Sequence, residues 1–447
     1  MTAEKFDLLV RGGTCVLPWG ELEAADVGIR AGRIAALGAL GGQAEAEAVI
    51  DARHLHVLPG LIDPHVHFRD PGDAAVETME TGTRGAVLGG ITAVFDMPNT
   101  TPPLVDAAAL AAKQVHVARV AWCDVGLYVG ATHGNIPELA ALEAARGVCG
   151  IKVFAGSTTG TLLVADDAGL ERVMRAGRRR IAYHSEDEFR LQSRKTLFAR
   201  GEPYARHMEW RDEECAFLGT RRILALATLT GRPAHILHVS TAEEFGYLAD
   251  FRDICTVEVL VNHLTQVAPD AYDRLGPYAV LNPPLRGERH RAAAWAAVRD
   301  GRVDTIGSDH APHPRAAKER PWPDCAAGLT GVQTTVPIML DHVAAGKLSL
   351  ARMVDLMSAG PARVYGARSK GRLAVGYDAD LTLVDLAARR VIEEGWIASP
   401  CGWTPFAGAR VTGWPVATVV RWRVVMRDDA VLGQPAGRLV DFGSAGR

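Results

Sequence analysis

Histidine and aspartate side chains stand at the ends of several short apolar runs, and they are the residues best suited to chemistry. His65 and His67 are separated by one residue, a spacing that places both imidazoles on one face of a β-strand. His184 and His238 end two further runs, and Asp309 ends another. Imidazole nitrogens and carboxylate oxygens are common zinc ligands. The joint pattern favours a metal centre over the alternative, separate histidines that are bonded within the core.

A lysine lies inside another apolar run. Lys152 stands between Ile151 and Val153, where a buried ammonium group is costly unless it is paired or modified. One interpretation is a lysine whose amine extends into a polar opening. The other is a desolvated, neutral amine that adds carbon dioxide and becomes a carbamate bridging two divalent ions. Four neutral imidazoles and one carboxylate leave most of the positive charge of two such ions uncompensated, so a further anionic ligand is electrostatically favourable.

The elements that must position these residues are short apolar runs that alternate with longer segments rich in Ala, Leu, Arg and Glu. Such alternation is typical of repeated βα units, and continuous hydrophobicity is typical of strands buried on both faces. The runs are 61–67, 92–97, 124–129, 150–154, 181–184, 234–238, 256–260 and 305–309. We therefore predict an α/β fold, a (β/α)8 TIM barrel, over residues 59–365. Active sites of such barrels lie at the C-terminal ends of the strands, where the candidate residues stand.

The two ends of the chain have a different sequence pattern, which predicts short strands separated by turns. Residues 1–58 and 366–447 contain runs such as 26–30 and 416–420, bounded by Gly, Pro and Asp. Neither end alone can bury a sheet face well. We therefore expect both termini to build one small β-rich domain of the β-sandwich type.

The composition narrows the class of protein. The chain has 447 residues, of which 48% are hydrophobic, as in ordinary globular proteins. Its formal net charge of -3 lacks the excess of positive charge that is typical of nucleic-acid-binding proteins. No stretch reaches the roughly 18 consecutive apolar residues that span a bilayer, and segment 1–8 lacks the order of a secretion signal. The seven cysteines are scattered and predict reduced thiols. We expect a cytoplasmic protein with a small-molecule substrate and with no membrane or nucleic-acid partner.

Two longer segments carry a resemblance to a known family. They read DPHVHFRDPG at 63–72 and SDHAPH at 308–313. Shorter segments agree: MPNT at 97–100, KVFAGS at 152–157, NPP at 282–284 and GYDAD at 376–380. Nearly the whole chain resembles the amidohydrolase superfamily and, within it, the dihydroorotases of the cyclic-amidohydrolase group. The resemblance implies an enzyme that opens a cyclic amide with the help of zinc.

The resemblance also implies roles for the candidate residues and two zinc ions per chain. The implied ligands are His65, His67 and Asp309 for one ion, His184 and His238 for the other, and carboxylated Lys152 as the bridge. A hydroxide bridging the ions is the implied nucleophile, since metal binding lowers the pKa of water to about 7. Asp309 is the implied general acid and base. The implied reaction is the reversible hydrolysis of dihydroorotate to N-carbamoyl-aspartate in pyrimidine biosynthesis.

A carboxylate on the substrate ring distinguishes dihydroorotate from related cyclic amides. Arg69 offers a planar guanidinium group suited to it, and Asn99 can donate alongside. The resemblance adds Asn282 and His313 to the substrate site. The alternative for Arg69 is a surface ion pair with Asp70 or Asp73.

Two segments depart from the dihydroorotase pattern. They are VNH at 261–263, where Pro-His-His is common, and Gln333, where glutamate is common. The alternative functions are those of an allantoinase or a hydantoinase (dihydropyrimidinase), and then that of a non-catalytic scaffold with the same fold. The scaffold is disfavoured because every proposed ligand position holds a competent residue. We expect a homo-oligomer, a dimer or a tetramer, and the resemblance leaves open an aspartate transcarbamoylase partner.

Overall fold

The computed structural model describes residues 5–41, 44–158 and 160–443. Of segment 1–8, used above to predict the absence of a secretion signal, residues 1–4 lie outside this description. Within the described residues, strands β1 to β17 are Lys5–Val16, Leu22–Arg30, Arg33–Gly38, Glu45–Asp51, His56–Pro59, Leu61–Val66, Ile91–Asp96, Asp124–Gly130, Val148–Phe154, Ile181–His184, Ala234–Ile236, Cys255–Leu260, Thr305–Gly307, Leu381–Val391, Arg410–Val420, Arg423–Arg427 and Ala430–Val431.

Helices α1 to α15 of the described residues are Met79–Leu88, Ala107–Val120, Leu139–Ala144, Asp167–Arg175, Glu188–Lys195, Arg206–Trp210, Glu213–Thr230, Ala242–Leu248, Val261–Thr265, Asp270–Leu275, Glu288–Arg299, Arg315–Lys318, Thr335–Ala344, Leu350–Val354 and Gly360–Tyr365. Short 3-10 helices are Pro18–Gly20, Ile136–Glu138, Ala249–Phe251, Gly276–Ala279 and Glu394–Trp396, and Asp355–Ala359 is a π-helical turn. No helix of the described residues combines the length and the apolarity that crossing a membrane requires.

Strands β6 to β13 lie side by side in chain order and pair in parallel. The first and last strands meet at a parallel bridge between Val66 and His310, where the His67 N–H donates to the His310 carbonyl at 2.7 Å. The predicted barrel is confirmed, and each strand begins and ends within two residues of its predicted limits. Strands β11 and β13 end early because His238 and Asp309 adopt left-handed φ values of 41° and 48°, which strand geometry excludes.

Buried strands and capped helices alternate because the sequence supplies both signals. Every residue of β6 to β10 is buried, as expected for runs of continuous hydrophobicity. Asp106, Asp166, Asp187 and Asp212 each cap a helix, since each carboxylate accepts an N–H from the first turn. The helices pack their apolar sides on the barrel and form the largest hydrophobic cluster.

The chain termini form the second sheet, as predicted. Its order is β17-β16-β15-β14-β5-β1-β2-β3, and β4 pairs with β1. Residues from both termini meet where β14 pairs antiparallel with β5, with Leu381 opposite Pro59. The domain is one continuous nine-stranded sheet with its own hydrophobic core. Only Gly60 separates the last residue of β5 from the first residue of β6. The predicted domain boundaries at residues 58/59 and 365/366 stay a prediction.

Candidate metal centre

One cavity at the C-terminal ends of the barrel strands gathers most of the residues predicted for the site. His65 lies on β6, Lys152 on β9 and His184 at the end of β10. The predicted residues on the cavity wall are His65, His67, Arg69, Asn99, Lys152, His184, His238, Asn282 and Asp309. The predicted substrate residue that is not on this wall is His313.

His65 and His67 direct the same ring nitrogen towards Asp309. Their Nε2 atoms lie 3.2 and 3.0 Å from Oδ1 of Asp309. The other ring nitrogen of each is bonded: Nδ1 of His65 lies 2.7 Å from Oε1 of Glu258, and Nδ1 of His67 lies 2.6 Å from Oδ1 of Asn99. Carboxylate and amide oxygens only accept, so each Nδ1 carries the proton. In the neutral form of either ring, the Nε2 atom therefore has a lone pair that a metal ion can take up.

His184 and His238 form a second pair of facing nitrogens. Nδ1 of His184 lies 3.0 Å from Nε2 of His238. Burial lowers the pKa of both histidines, so both imidazoles are neutral. Nε2 of His184 lies 2.9 Å from the carboxylate of Glu186, which Arg211 contacts through Nε and Nη2. Nδ1 of His238 is buried and has no hydrogen-bond partner among the described residues.

Lys152 is buried in the same cavity. Its side chain projects from β9, with Nζ 4.7 Å from the centre of the Phe154 ring, and the residue is only 1% exposed. Burial lowers the pKa of Lys152 to about 7, although the charges of Asp309 and Glu258 oppose this shift. A substantial fraction of the amine is therefore neutral near pH 7, and only the neutral form can add carbon dioxide.

Asp309 combines a strained backbone with a firmly ionised carboxylate. Burial alone would raise the pKa of Asp309, but the adjoining rings of His65 and His67 hold it well below its usual value. The left-handed φ of a non-glycine residue is found mostly where the surrounding structure imposes it, often at functional sites. Asp309 can therefore act as a metal ligand or as a proton acceptor.

Arg69 lines the cavity without an ionic partner among the described residues. Burial lowers the pKa of Arg69 to about 10, against the charges of Asp309 and Asp96. Neither Asp70 nor Asp73 forms an ion pair with Arg69: Oδ2 of Asp70 accepts the Met79 N–H at 2.7 Å and contacts His116 at 2.9 Å, and Oδ1 of Asp73 accepts the Ala75 N–H at 2.9 Å. The guanidinium group remains available for an anionic ligand.

The other predicted substrate residues occupy different surroundings. Oδ1 of Asn282 accepts from Nε2 of His207 at 2.8 Å, and Nδ2 donates to Thr158 at 3.3 Å. Nε2 of His313 donates to the carbonyl oxygen of Ala327 at 3.1 Å. Burial lowers the pKa of His313 to about 3, so this imidazole is neutral. His313 therefore supports the loop behind the cavity wall in this structure.

The donor atoms fit a divalent transition metal. Ligand atoms of His65, His238 and Asp309 all lie within 4.8 Å of one another. Nε2 of His184 faces the carboxylate of Glu186, which only accepts, so the proton of this neutral ring belongs on Nε2 and Nδ1 presents its lone pair towards Nε2 of His238. Neutral imidazoles and a carboxylate are the donor set of zinc sites.

Comparison with known proteins gives the family. The model of the amidohydrolase family matches residues 56–440, which is most of the chain. The chain belongs to the amidohydrolase family. It is therefore a hydrolase, and the expectation drawn from the two long sequence segments is confirmed.

The relatives of this amidohydrolase are named as enzymes with different cyclic-amide substrates. The dihydroorotase of Halobacterium salinarum is 36% identical over 411 residues, covering 91% of this chain and 94% of that protein. The allantoinase of Solibacter usitatus is 36% identical over 454 residues, covering 97% and 96%. Among solved structures, L-hydantoinase from Arthrobacter aurescens superposes with a TM-score of 0.92 at 30% identity, covering 98% of this chain and 100% of that one.

Two other groups of side chains in the amidohydrolase have a metal-like spacing but are already satisfied. Asp124, Asp378 and Asp380 surround Nζ of Lys370 at 2.7, 3.3 and 2.5 Å. In the second group, His290 accepts the Ala242 N–H through Nδ1 and contacts Glu213 through Nε2. An ammonium group and an N–H donor therefore fill the positions that an ion would take.

The residues that depart from the dihydroorotase pattern lie away from the cavity wall. Gln333 donates to the Trp396 carbonyl at 2.6 Å and accepts the Ala398 N–H at 2.9 Å. His263 donates to the Pro283 carbonyl at 3.1 Å. Both residues bond to the backbone of neighbouring loops, and neither is a candidate ligand.

The carboxylates that support the histidines are not among the residues predicted from the sequence. Glu258 stands between Val257 and Val259 on β12 and is fully buried. A charged residue in an apolar strand is the same anomaly that singled out Lys152, so the signal was present. Glu186, two residues after His184, had no comparable signal.

Proposed function

We propose that this amidohydrolase is a zinc-dependent dihydroorotase, which hydrolyses the cyclic amide of dihydroorotate reversibly to N-carbamoyl-aspartate in pyrimidine biosynthesis. The observation that carries the proposal is the position of Arg69 in the histidine-lined cavity, without an ionic partner among the described residues. A guanidinium group at the cavity wall is complementary to a carboxylate, and dihydroorotate has a carboxylate on its ring. The named dihydroorotases among the relatives, at 32 to 36% identity, support the same substrate.

The proposed cofactor is a pair of zinc ions. The residues that would hold them are His65, His67 and Asp309, then His184 and His238, with carboxylated Lys152 between the two groups. When bound, zinc ions lower the pKa of a water molecule and polarise an amide carbonyl. The buried amine of Lys152, with its pKa near 7, is suited to carboxylation.

The residues of the chain have separate tasks in the proposed reaction. Asp309 would accept a proton from the water molecule that attacks the ring carbonyl carbon, and would deliver it to the ring nitrogen as the carbon–nitrogen bond breaks. Arg69 binds the ring carboxylate, and Asn282 lines the same cavity. Asn99 keeps the proton of His67 on Nδ1 through the 2.6 Å bond. A direct contact of His313 with the substrate stays a prediction.

The experiment that tests this function compares turnover of dihydroorotate, allantoin, hydantoin and dihydrouracil by the same purified enzyme. We expect kcat/KM to be highest for dihydroorotate, with about two zinc ions per chain. Opening of another ring with no turnover of dihydroorotate contradicts the substrate but keeps the reaction class. Less than one zinc per chain together with no turnover supports the non-catalytic scaffold.

Allantoin is the second candidate substrate. Two named allantoinases are 36 and 35% identical over 97% of this chain, whereas the four dihydroorotases cited above cover 86 to 93% of it. Allantoin has no carboxylate on its ring, so Arg69 would lack an ionic partner in that complex. Preferred turnover of allantoin in the four-substrate comparison selects this function.

We further infer that the enzyme is a cytoplasmic homo-oligomer, a dimer or a tetramer. Light scattering coupled to size-exclusion chromatography determines the mass of the assembly directly. Aspartate transcarbamoylase makes N-carbamoyl-aspartate and is the proposed partner enzyme. Co-purification from mixed recombinant proteins tests this association.

A further inference from the structure

A buried ion pair lies directly behind the segment that carries Arg69. Lys113 is on α2, and Asp96 is the last residue of β7. Nζ of Lys113 lies 2.7 Å from Oδ2 of Asp96, and the exposed fractions of the two side chains are 2% and 1%. Neither residue lines the cavity. Burying two charges is costly unless further hydrogen bonds satisfy both groups. The partners of those hydrogen bonds are therefore the segments that the ion pair fixes in place.

The ion pair holds the residues on both sides of Arg69. Oδ1 of Asp96 accepts the backbone N–H of Phe68 at 2.9 Å. Nζ of Lys113 donates to the backbone carbonyl of Asp70. The two charges thus bond to the chain immediately before and immediately after Arg69.

Arg69 needs such support because its backbone is strained. Its φ is +57°, a left-handed conformation that residues with a Cβ disfavour by roughly tenfold. The following turn is also tight, since a Cβ on Gly72 would lie 2.0 Å from the Arg69 carbonyl oxygen. The orientation of the guanidinium group therefore depends on contacts made by its neighbours.

We propose that Lys113 and Asp96 are positioning residues that give the enzyme its preference for an anionic ring, by holding Arg69 in its left-handed conformation at the cavity wall. This inference rests on the proposed dihydroorotase function. A purely structural ion pair would stabilise the fold without any effect on substrate preference.

The test uses two variants and a matched control. Lys113→Met removes the bond to Asp70 but leaves Asp96 buried without its partner, which is costly. The double variant Asp96→Asn with Lys113→Met removes that charge and keeps an oxygen for the Phe68 N–H. The control is Glu143→Gln with Arg232→Met, a buried pair 2.6 Å apart that supports segments preceding β10 and β11.

The first readout is substrate selectivity. We expect both Lys113 variants to lower kcat/KM for dihydroorotate about tenfold, the scale of one lost buried hydrogen bond, mainly through KM. Activity on uncharged dihydrouracil and zinc content should change less than about twofold. The control pair should leave the ratio of the two activities unchanged. Equal losses on both substrates, or an unchanged ratio in the Lys113 variants, overturn the proposal.

The second readout does not depend on turnover. Hydrogen–deuterium exchange of peptides covering residues 67–72 should be faster in both Lys113 variants than in the wild type and the control. Unchanged exchange in an enzyme that opens dihydroorotate overturns the positioning role alone. A wild type that ignores dihydroorotate contradicts the proposed function, and the selectivity part of this inference is then wrong with it.

Discussion

Oε1 of Glu258 lies 2.7 Å from Nδ1 of His65, and both residues are almost fully buried. The same oxygen accepts the backbone N–H of His238 at 3.2 Å. Glu258 thus contacts one candidate ligand from each histidine pair. Metal-binding histidines commonly donate their second nitrogen to a carboxylate, which fixes the tautomer and raises the basicity of the ligand.

Glu258→Gln should therefore weaken zinc binding about tenfold, the lower end of the effect of such supporting residues. The amide still accepts from His65 but no longer has a charge to raise its basicity. Competition with a chromophoric chelator measures the affinity. Glu244→Gln is the matched control, since Glu244 is equally buried and bonds Thr220 and Thr241 away from the cavity. Equal affinities of the two variants would contradict the role of Glu258.

Asp309→Asn should lower kcat by about a hundredfold or more, the scale of a lost proton acceptor, and leave zinc content roughly intact. The amide keeps the shape of the carboxylate and an oxygen near His65 and His67, but it cannot hold a proton. Steady-state kinetics and elemental analysis on the same sample separate the two effects. A variant with near-normal kcat would remove Asp309 from the acid–base role.

Lys152→Ala should be almost inactive, and short carboxylic acids such as acetate should restore part of the activity. The reason is that a small carboxylate can replace the proposed carbamate in the space left by the buried side chain. Activity is measured against acid concentration, with chloride at equal ionic strength as the control. Full activity of the variant without any acid would show that no bridging anion is needed.

The barrel could be predicted because its signals are local. Each strand is a continuous apolar run, and the polar residue that ends it marks the catalytic end of the barrel. The candidate ligands His65, His184 and Asp309 were found in this way. The second sheet was predicted only in outline, because the pairing of β5 with β14 joins segments at opposite ends of the chain.

Contacts between distant residues could not be predicted. Glu258 and His65 are 193 positions apart, and a buried glutamate alone does not identify its partner. The left-handed conformation of Arg69 was also hidden, since arginine has no preference for it. The pair of Lys113 and Asp96 joins a helix to a strand end, and only the packed structure brings the two charges together.

His342 should make stability depend on pH. Burial lowers the pKa of His342 to about 3, and Lys347 and Arg291 add to the shift. The unfolded chain, with a pKa near 6.5, binds a proton that the folded protein excludes. The contribution of neutral, buried His342 to the free energy of unfolding is therefore full above pH 6.5. It is lost as pH falls towards 3, by at most about 1.4 kcal/mol per pH unit.

A comparison of melting temperatures tests this contribution. The difference between wild type and His342→Gln should shrink between pH 7 and pH 5, because only the wild type excludes that proton. Loss of zinc at low pH affects both proteins and cancels in the comparison. A difference that stays constant over this range would mean that His342 does not titrate on unfolding.

Arg69→Ala should cut kcat/KM for dihydroorotate by about tenfold to a hundredfold, because a charge-assisted pair contributes roughly 1.5–3 kcal/mol. Activity on uncharged dihydrouracil should change little, since that ring has no carboxylate. Arg69→Lys should recover only part of the loss, as an ammonium group cannot form the two parallel bonds of a guanidinium group. The measurement is kcat/KM for both substrates with each variant. Equal losses on both substrates would mean that Arg69 supports the cavity wall instead of binding the substrate carboxylate.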